Sequence, residues 1–185
     1  YDNRYMLSAT IRRDGSSKFD SSGDGKHFYG VFPAASVGWN LSNENFFRGS
    51  GVSRIINLLK IRGSIGLLGN DQISSFSTLN SISTNLNFLT NGGMIIGNIP
   101  SGLASPRDLK WEQTRTENIG LDAQLLGNRL SVVFEWFNKT STGILLAVPI
   151  PQSSGISGSP IVNAGEVTNK GIELGLNYTD RAGEI

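Results

Sequence analysis

Over several stretches of this chain apolar and polar residues alternate one by one, the two-residue period of a β-strand with unlike faces. From Tyr5 to Arg12, Tyr5, Leu7, Ala9 and Ile11 share one face, and Met6, Ser8, Thr10 and Arg12 the other. The pattern returns between Val31 and Leu41, where Val31, Ala35, Val37, Trp39 and Leu41 oppose Ser36, Gly38 and Asn40. A third strand is predicted over Ile55–Leu68, with Leu59, Ile61, Ile65 and Leu67 against Lys60, Arg62 and Ser64. Its Gly63 and Gly66 mark bulges or close backbone approach. The clearest alternation sets Ile119, Leu121, Ala123 and Leu125 against Asn118, Gly120, Asp122 and Gln124.

Gly127-Asn128 then turns the chain, and Leu130, Val132, Phe134 and Trp136 return opposite Arg129, Ser131 and Glu135. Val133 and Phe137 blur that return. A last strand from Gly171 sets Ile172, Leu174, Leu176 and Tyr178 against Glu173, Gly175, Asn177 and Thr179. Between strands, residues 14–30, 69–108 and 147–169 have the composition of extended polar loops, the second without sustained periodicity. The other two connections are short, and Ser42-Asn43-Glu44-Asn45 is placed to cap a helical turn containing Phe46 and Phe47.

These features predict an all-β fold of about six antiparallel strands. A soluble sandwich has the same alternation, so a soluble β-rich carbohydrate- or protein-binding domain is the alternative. Two features favour part of a large transmembrane β-barrel. Long connections alternate with short ones, as extracellular loops alternate with periplasmic turns. The segments 110–125 and 129–146 also much exceed the usual five or six residues of a globular strand. No run reaches the roughly 18–20 apolar residues of a membrane helix, but a barrel faces lipid with every second residue only.

Composition narrows the chemistry. Sixteen basic and fifteen acidic residues leave a net charge of +1, which gives no field for nucleic acid. With no cysteine there are no disulfides, thiolate chemistry or cysteine-held metals. His27 is the one histidine, and a solvated loop explains it and the nearby Asp20 and Asp24 better than a metal or acid–base site. Asp20–Gly25 lacks the ligand spacing and closing glutamate of an EF-hand, and residues 63–69 lack the Lys-Ser/Thr ending of a phosphate loop. No Gly-x-Ser-x-Gly elbow is present. Glycan cleavage requires a carboxylate pair that sequence alone does not place. The expectation is a non-enzyme without cofactor, metal or catalytic residues.

Six short motifs occur in a recognisable order. They are Arg13–Phe19 (RDGSSKF), Val31–Trp39 (VFPAASVGW), Leu59–Gly66 (LKIRGSIG) with Gly69-Asn70, Leu109–Glu112 (LKWE), Asn118–Asp122 (NIGLD) and Asn169–Leu174 (NKGIEL). Together they resemble the C-terminal barrel half of SusC/RagA-family TonB-linked transporters. The resemblance implies a partial TonB-dependent receptor barrel domain over residues 1–185, without the plug domain and signal peptide of a barrel of about 22 strands. It implies import of oligosaccharide or peptide across a gram-negative outer membrane. The partners implied are a SusD-like surface lipoprotein, the TonB complex and outer-membrane lipid, with no nucleic acid.

On that basis Arg12, Arg62, Glu112, Asp122, Glu135 and Glu173, all on predicted polar faces, are the candidate lumen-facing residues. Trp39, Trp111, Trp136 and Tyr178 suit either an interfacial aromatic girdle or stacking on sugar rings, and the girdle is the expectation.

Overall fold

The computed structural model describes residues 1–19, 27–75, 77–79, 82–100, 106, 108–151, 153 and 159–180. Its main body is one antiparallel sheet of six strands: β1 (Tyr5–Gly15), β2 (Tyr29–Asn40), β3 (Ile56–Asn70), β6 (Glu112–Leu125), β7 (Leu130–Thr142) and β10 (Glu166–Tyr178). They lie side by side in that order, so every neighbour in the sheet is also the next long strand in the chain. The sheet does not close on itself: β1 and β10 are its two edges.

Two small hairpins stand apart from it, β4 (Ile82–Thr90) with β5 (Gly93–Pro100), and β8 (Leu145–Ala147) with β9 (Ile161–Asn163). The first lies within residues 69–108, read from sequence as an extended polar loop, and gives part of it strand structure. Asn91-Gly92 sits at its tip, the dipeptide that most favours a tight hairpin turn. The second corrects a strand running from Arg129 to Leu146. Gly143, at φ +63°, takes the chain out of β7 after Thr142, and the following residues pair with β9 instead. β10 begins at Glu166, five residues before the predicted Gly171, because its polar first turn still pairs with β7.

The short connection between β2 and β3 folds as a 3-10 turn (Leu41–Asn43), helix α1 (Asn45–Arg48) and a second 3-10 turn (Gly51–Arg54). The expected helical turn is present, but Ser42 and Asn43 do not cap it. Ser42 Oγ donates to Asn40 Oδ1 at 2.6 Å and Asn43 Nδ2 to the Asn3 carbonyl at 2.8 Å, while Glu44 occupies the N-cap position. The β6–β7 turn runs through Leu126, Gly127 and Asn128, all at positive φ. The Asn57 side chain accepts from the backbone N–H of Gly127 and of Asn128, at 2.9 and 3.3 Å. Asn57 is free to do so because a bulge between Ile56 and Leu58 shifts β3 out of register there. Gly63 and Gly66 produce no such shift; Gly66 instead lets β3 approach Ala34, whose Cβ would lie 3.2 Å from a Cβ added there.

The wall itself has almost no core. Phe19 and Leu109, each 1% exposed, are the largest fully buried side chains among the described residues, and both belong to long connections. They cluster with Ile73, against Trp111, Leu145 and Ile161. Polar side chains bind the same cluster together. Ser16 Oγ donates to Asp71 at 2.9 Å, and Lys18 Nζ to the Asp71 carbonyl at 3.0 Å. Asn163 accepts from the Lys110 N–H at 2.8 Å and donates to the Lys110 and Gly143 carbonyls at 2.7 and 2.9 Å. Segments of all three long connections thus meet in one knot at one end of the sheet.

Candidate functional site

Pairing register aligns the alternating strands into two continuous faces. On the first, Leu174, Phe134, Leu121, Ile61, Trp39 and Tyr5 form one row across all six strands. The next row toward the long connections is Ile172, Trp136, Ile119, Gly63, Val37 and Leu7. These side chains are open to the surroundings: Leu7 is 81% exposed, Ile172 69% and Leu174 66%. A contiguous apolar surface of this size is not kept in water without a partner.

The apolar band runs obliquely to the rows. On β6, β7 and β10 it begins at Leu125, Leu130 and Tyr178 and ends at Ile119, Trp136 and Ile172. On β1 and β2 it begins two rows higher, at Tyr5 and Trp39, and reaches Ile11 and Pro33, two rows beyond Leu7 and Val37. Two rows are about 14 Å along a strand and five strand spacings about 24 Å, which gives a slant of ~30°. Strands of transmembrane barrels tilt by roughly 35–45° from the barrel axis, so a band of constant height crosses their rows at an angle of this order.

On the other face Met6, Gly38, Arg62, Gly120, Glu135 and Glu173 make one row, and Ser8, Ser36, Ser64 and Asn118 the next. All six charged residues singled out from sequence lie on this face by register. Three of them meet. Arg62 Nη2 donates to Glu135 Oε2 at 2.5 Å and Nε to Asp122 Oδ1 at 3.3 Å. To reach Glu135 on β7, the guanidinium of β3 crosses over β6 at Gly120, where an added Cβ would stand 2.7 Å from Arg62 Cζ. Gly120 was not singled out from sequence. Its signal was a glycine on the polar side of an otherwise regular strand, and its use emerges only when register sets it beside Arg62.

Glu173 faces Glu135 across β7 and β10. The remaining two lie toward the long connections, apart from this group. Arg12 pairs with Asp14 at 2.8 Å and sits over the Phe32 ring, and Glu112 accepts the Leu145 N–H at 3.3 Å. Val133 and Phe137, which break the sequence alternation, also point to this face. Both sit beside glycines of β10: Val133 opposite Gly175, and the Phe137 ring 3.0 Å from where a Gly171 Cβ would be.

Trp39 and Tyr178 stand at the short-turn edge of the apolar band, with Tyr5 stacked on Trp39 at 6.5 Å, and Trp136 stands at its opposite edge on β7. Trp111 does not join them. It precedes β6 and packs in the knot, its ring 5.2 Å from Phe19 and 5.4 Å from Phe32, with Nε1 donating to the His27 carbonyl at 3.1 Å. Its sequence neighbour Leu109 is buried there too, which draws the segment inward. His27 contributes a backbone carbonyl to this packing, and among the described residues no group of acids and histidines could hold a metal. The segment Asp20–Gly25 lies outside the described residues.

At the short-turn end Glu44, 8% exposed, accepts from Tyr5 Oη at 2.7 Å, Trp39 Nε1 at 3.1 Å and Arg4 Nη1 at 3.4 Å. The Tyr5 hydroxyl, then Trp39, hold its carboxyl below the ordinary carboxylate value, outweighing partial desolvation; Arg4 adds to the effect.

Long antiparallel strands with one dry, exposed face and one polar, ion-paired face define the class of β-barrel walls. This chain belongs to the TonB dependent receptor-like, beta-barrel family, whose model matches residues 1–183. It is 36% identical over 95% of its length to TonB-dependent receptor P39 of Formosa agariphila, and 30% identical over 95% to TonB-dependent receptor SusC of Bacteroides thetaiotaomicron. It spans 16% and 17% of those two proteins. Among solved structures, a RagAB peptide transporter chain superposes with a TM-score of 0.82 at 26% identity, over 98% of this chain and 19% of that one. The resemblance to SusC and RagA drawn from six motifs is therefore borne out, as is the antiparallel barrel-type sheet.

Proposed function

We propose that this chain forms part of the wall of a gram-negative outer-membrane transporter that imports oligosaccharide or peptide, driven by TonB and supplied by a SusD-like surface lipoprotein. The oblique apolar band is the observation that carries the reading. Such a band has a use where lipid covers one face, and its slant matches strands tilted through a bilayer. Family membership supports TonB coupling, and similarity to the RagAB peptide transporter and to SusC supports a nutrient cargo and a lipoprotein partner.

In this reading the face bearing Arg12, Arg62, Glu112, Asp122, Glu135 and Glu173 lines the lumen. Trp39, Trp136 and Tyr178 belong to the interfacial girdles, with Trp111 assigned to the loop knot instead. The wall's task is physical: it pairs the backbone hydrogen bonds of neighbouring strands with one another in lipid and presents a wet surface to passing cargo, with no covalent step on it.

Single cysteines test the assignment cleanly, because this stretch has none of its own. In the full-length protein in outer membranes, a water-soluble maleimide should label Glu173→Cys and leave Leu174→Cys unreacted. Equal labelling of both would remove the lipid-facing assignment. Loss of uptake of a particular oligosaccharide or peptide on deleting the full-length gene would then name the cargo class.

A further inference from the structure

The connection from β2 to β3 is tied to the apolar face of the wall. Glu44, at the N-cap of α1, accepts from the Tyr5 hydroxyl at 2.7 Å and from Trp39 Nε1 at 3.1 Å, and both rings belong to that face. This fixes the start of the helix at the short-turn edge of the apolar band. Phe47 is then buried, whereas its neighbour Phe46 is 63% exposed. Farther along, Val52 and Ile55 are exposed too. Ile55 leads back to the band's lower edge, its carbonyl accepting at 3.0 Å from the N–H of Leu126, the residue after Leu125.

We propose that this connection is an interfacial foot: Phe46 and Val52 enter the boundary between headgroups and acyl chains of the leaflet on the short-turn side, with Arg48 and Arg54 reaching back to the lipid phosphates. The proposal rests on reading the apolar face as lipid-facing. Continuity selects lipid as the occupant, because the foot starts at two side chains of the band and ends beside a third. Exposed apolar side chains at that height meet the same medium as the band itself.

The backbone of the foot is suited to such a place. The Ser50 N–H and Oγ both donate to the Phe47 carbonyl, at 3.0 and 2.6 Å, and the Ser53 N–H and Oγ to the Ser50 carbonyl, at 3.2 and 2.8 Å. The Ile55 N–H donates to the Val52 carbonyl at 3.0 Å. In water such groups can be left to solvent; beside lipid they have to be satisfied within the chain. Apolar burial drives the contact, and charge accommodates it. Residues 41–55 carry Arg48 and Arg54 against one acid, Glu44, which is already engaged by Arg4, Tyr5 and Trp39. Arginine stems lie along apolar surface while their guanidinium groups stay among the headgroups.

The test places a nitroxide on Phe46→Cys or Val52→Cys of the full-length protein in phosphatidylcholine vesicles, with no other protein present. Collisions with oxygen, with a water-soluble nickel chelate and with a nickel-chelating lipid are read by electron paramagnetic resonance. Leu174→Cys and Glu173→Cys give the lipid-facing and polar-face references. The oxygen-to-chelate ratio at Phe46→Cys and Val52→Cys should be several-fold above that at Glu173→Cys and below that at Leu174→Cys. The nickel-chelating lipid, whose metal lies at the headgroups, should act more strongly on the foot than on Leu174→Cys. Ratios at both foot sites equal to that at Glu173→Cys, or no effect of the nickel lipid on either, overturn the foot. If Leu174→Cys stays shielded in that case, only the foot fails; a Leu174→Cys as open to the chelate as Glu173→Cys overturns the lipid-facing reading with it.

Discussion

The wall and the knot at its long-connection end bury their side chains by opposite rules. In the six-stranded sheet, large apolar residues such as Leu7 and Ile172 are exposed and arginine and glutamate meet on the other face. In the knot, Phe19, Ile73 and Leu109 are buried, and Asn163, Ser16 and Lys18 bind loop segments together as in a water-soluble domain. Strands in a bilayer take their cover from lipid and need no core of their own. Connections in water have to build one, and three of them share it.

Substitutions in the knot and on the apolar face should separate these two regions, and two milder sets probe the wall's polar face and its short-turn end. Phe19→Ala opens a cavity in the knot and should cost it about 3–5 kcal/mol. Limited proteolysis would show the long connections cut faster while the yield of membrane-inserted full-length protein stays the same; a falling yield would mean that wall and knot are one unit. Leu121→Arg or Leu174→Arg should do the reverse, costing assembly roughly 2–4 kcal/mol at a lipid-facing site, with Asn118→Arg on the polar face much milder. Equal membrane yields for the three would contradict the assignment of faces.

Gly120→Ala should be gentler, under about 1 kcal/mol, since Arg62 and Glu135 stay partly solvated and the guanidinium can swing aside. The coupling between Arg62→Gln and Glu135→Gln, measured by a double-mutant cycle, should nevertheless vanish in that background. The smallest effect is at Glu44, whose carboxyl is held below its ordinary value. A depressed carboxyl contributes stability above its unfolded pKa, and that contribution disappears as pH falls through the lower, folded one. Hydrogen exchange at the start of β1 should therefore rise on acidification below about pH 4, and Glu44→Gln should flatten that response.

Much of the wall was legible in sequence, because the period of two is a property of each strand alone. Val133 and Phe137 looked like errors in that period until β10 set Gly175 and Gly171 beside them. The hairpin at Asn91-Gly92 had its turn signal in plain view, hidden by the Ser- and Asn-rich sequence around it. Trp111 was misplaced for a different reason: its position next to a strand fits a girdle, and only the burial of Phe19 and Leu109, distant in sequence, draws it into the knot. The joining of Arg62, Asp122 and Glu135 likewise needed register, since neither spacing nor composition relates residues on different strands.

The alternation also governs what happens to the chain before it folds. A secreted polypeptide bound for an outer membrane has to pass the inner one and then cross water unfolded. Spreading its apolar residues over every second position leaves no segment that an inner-membrane insertion machinery would retain as a helix, and no long greasy run to aggregate on the way. The hydrophobic surface exists only once neighbouring strands pair and bring their alternate apolar positions together, so it is created by the folding step itself.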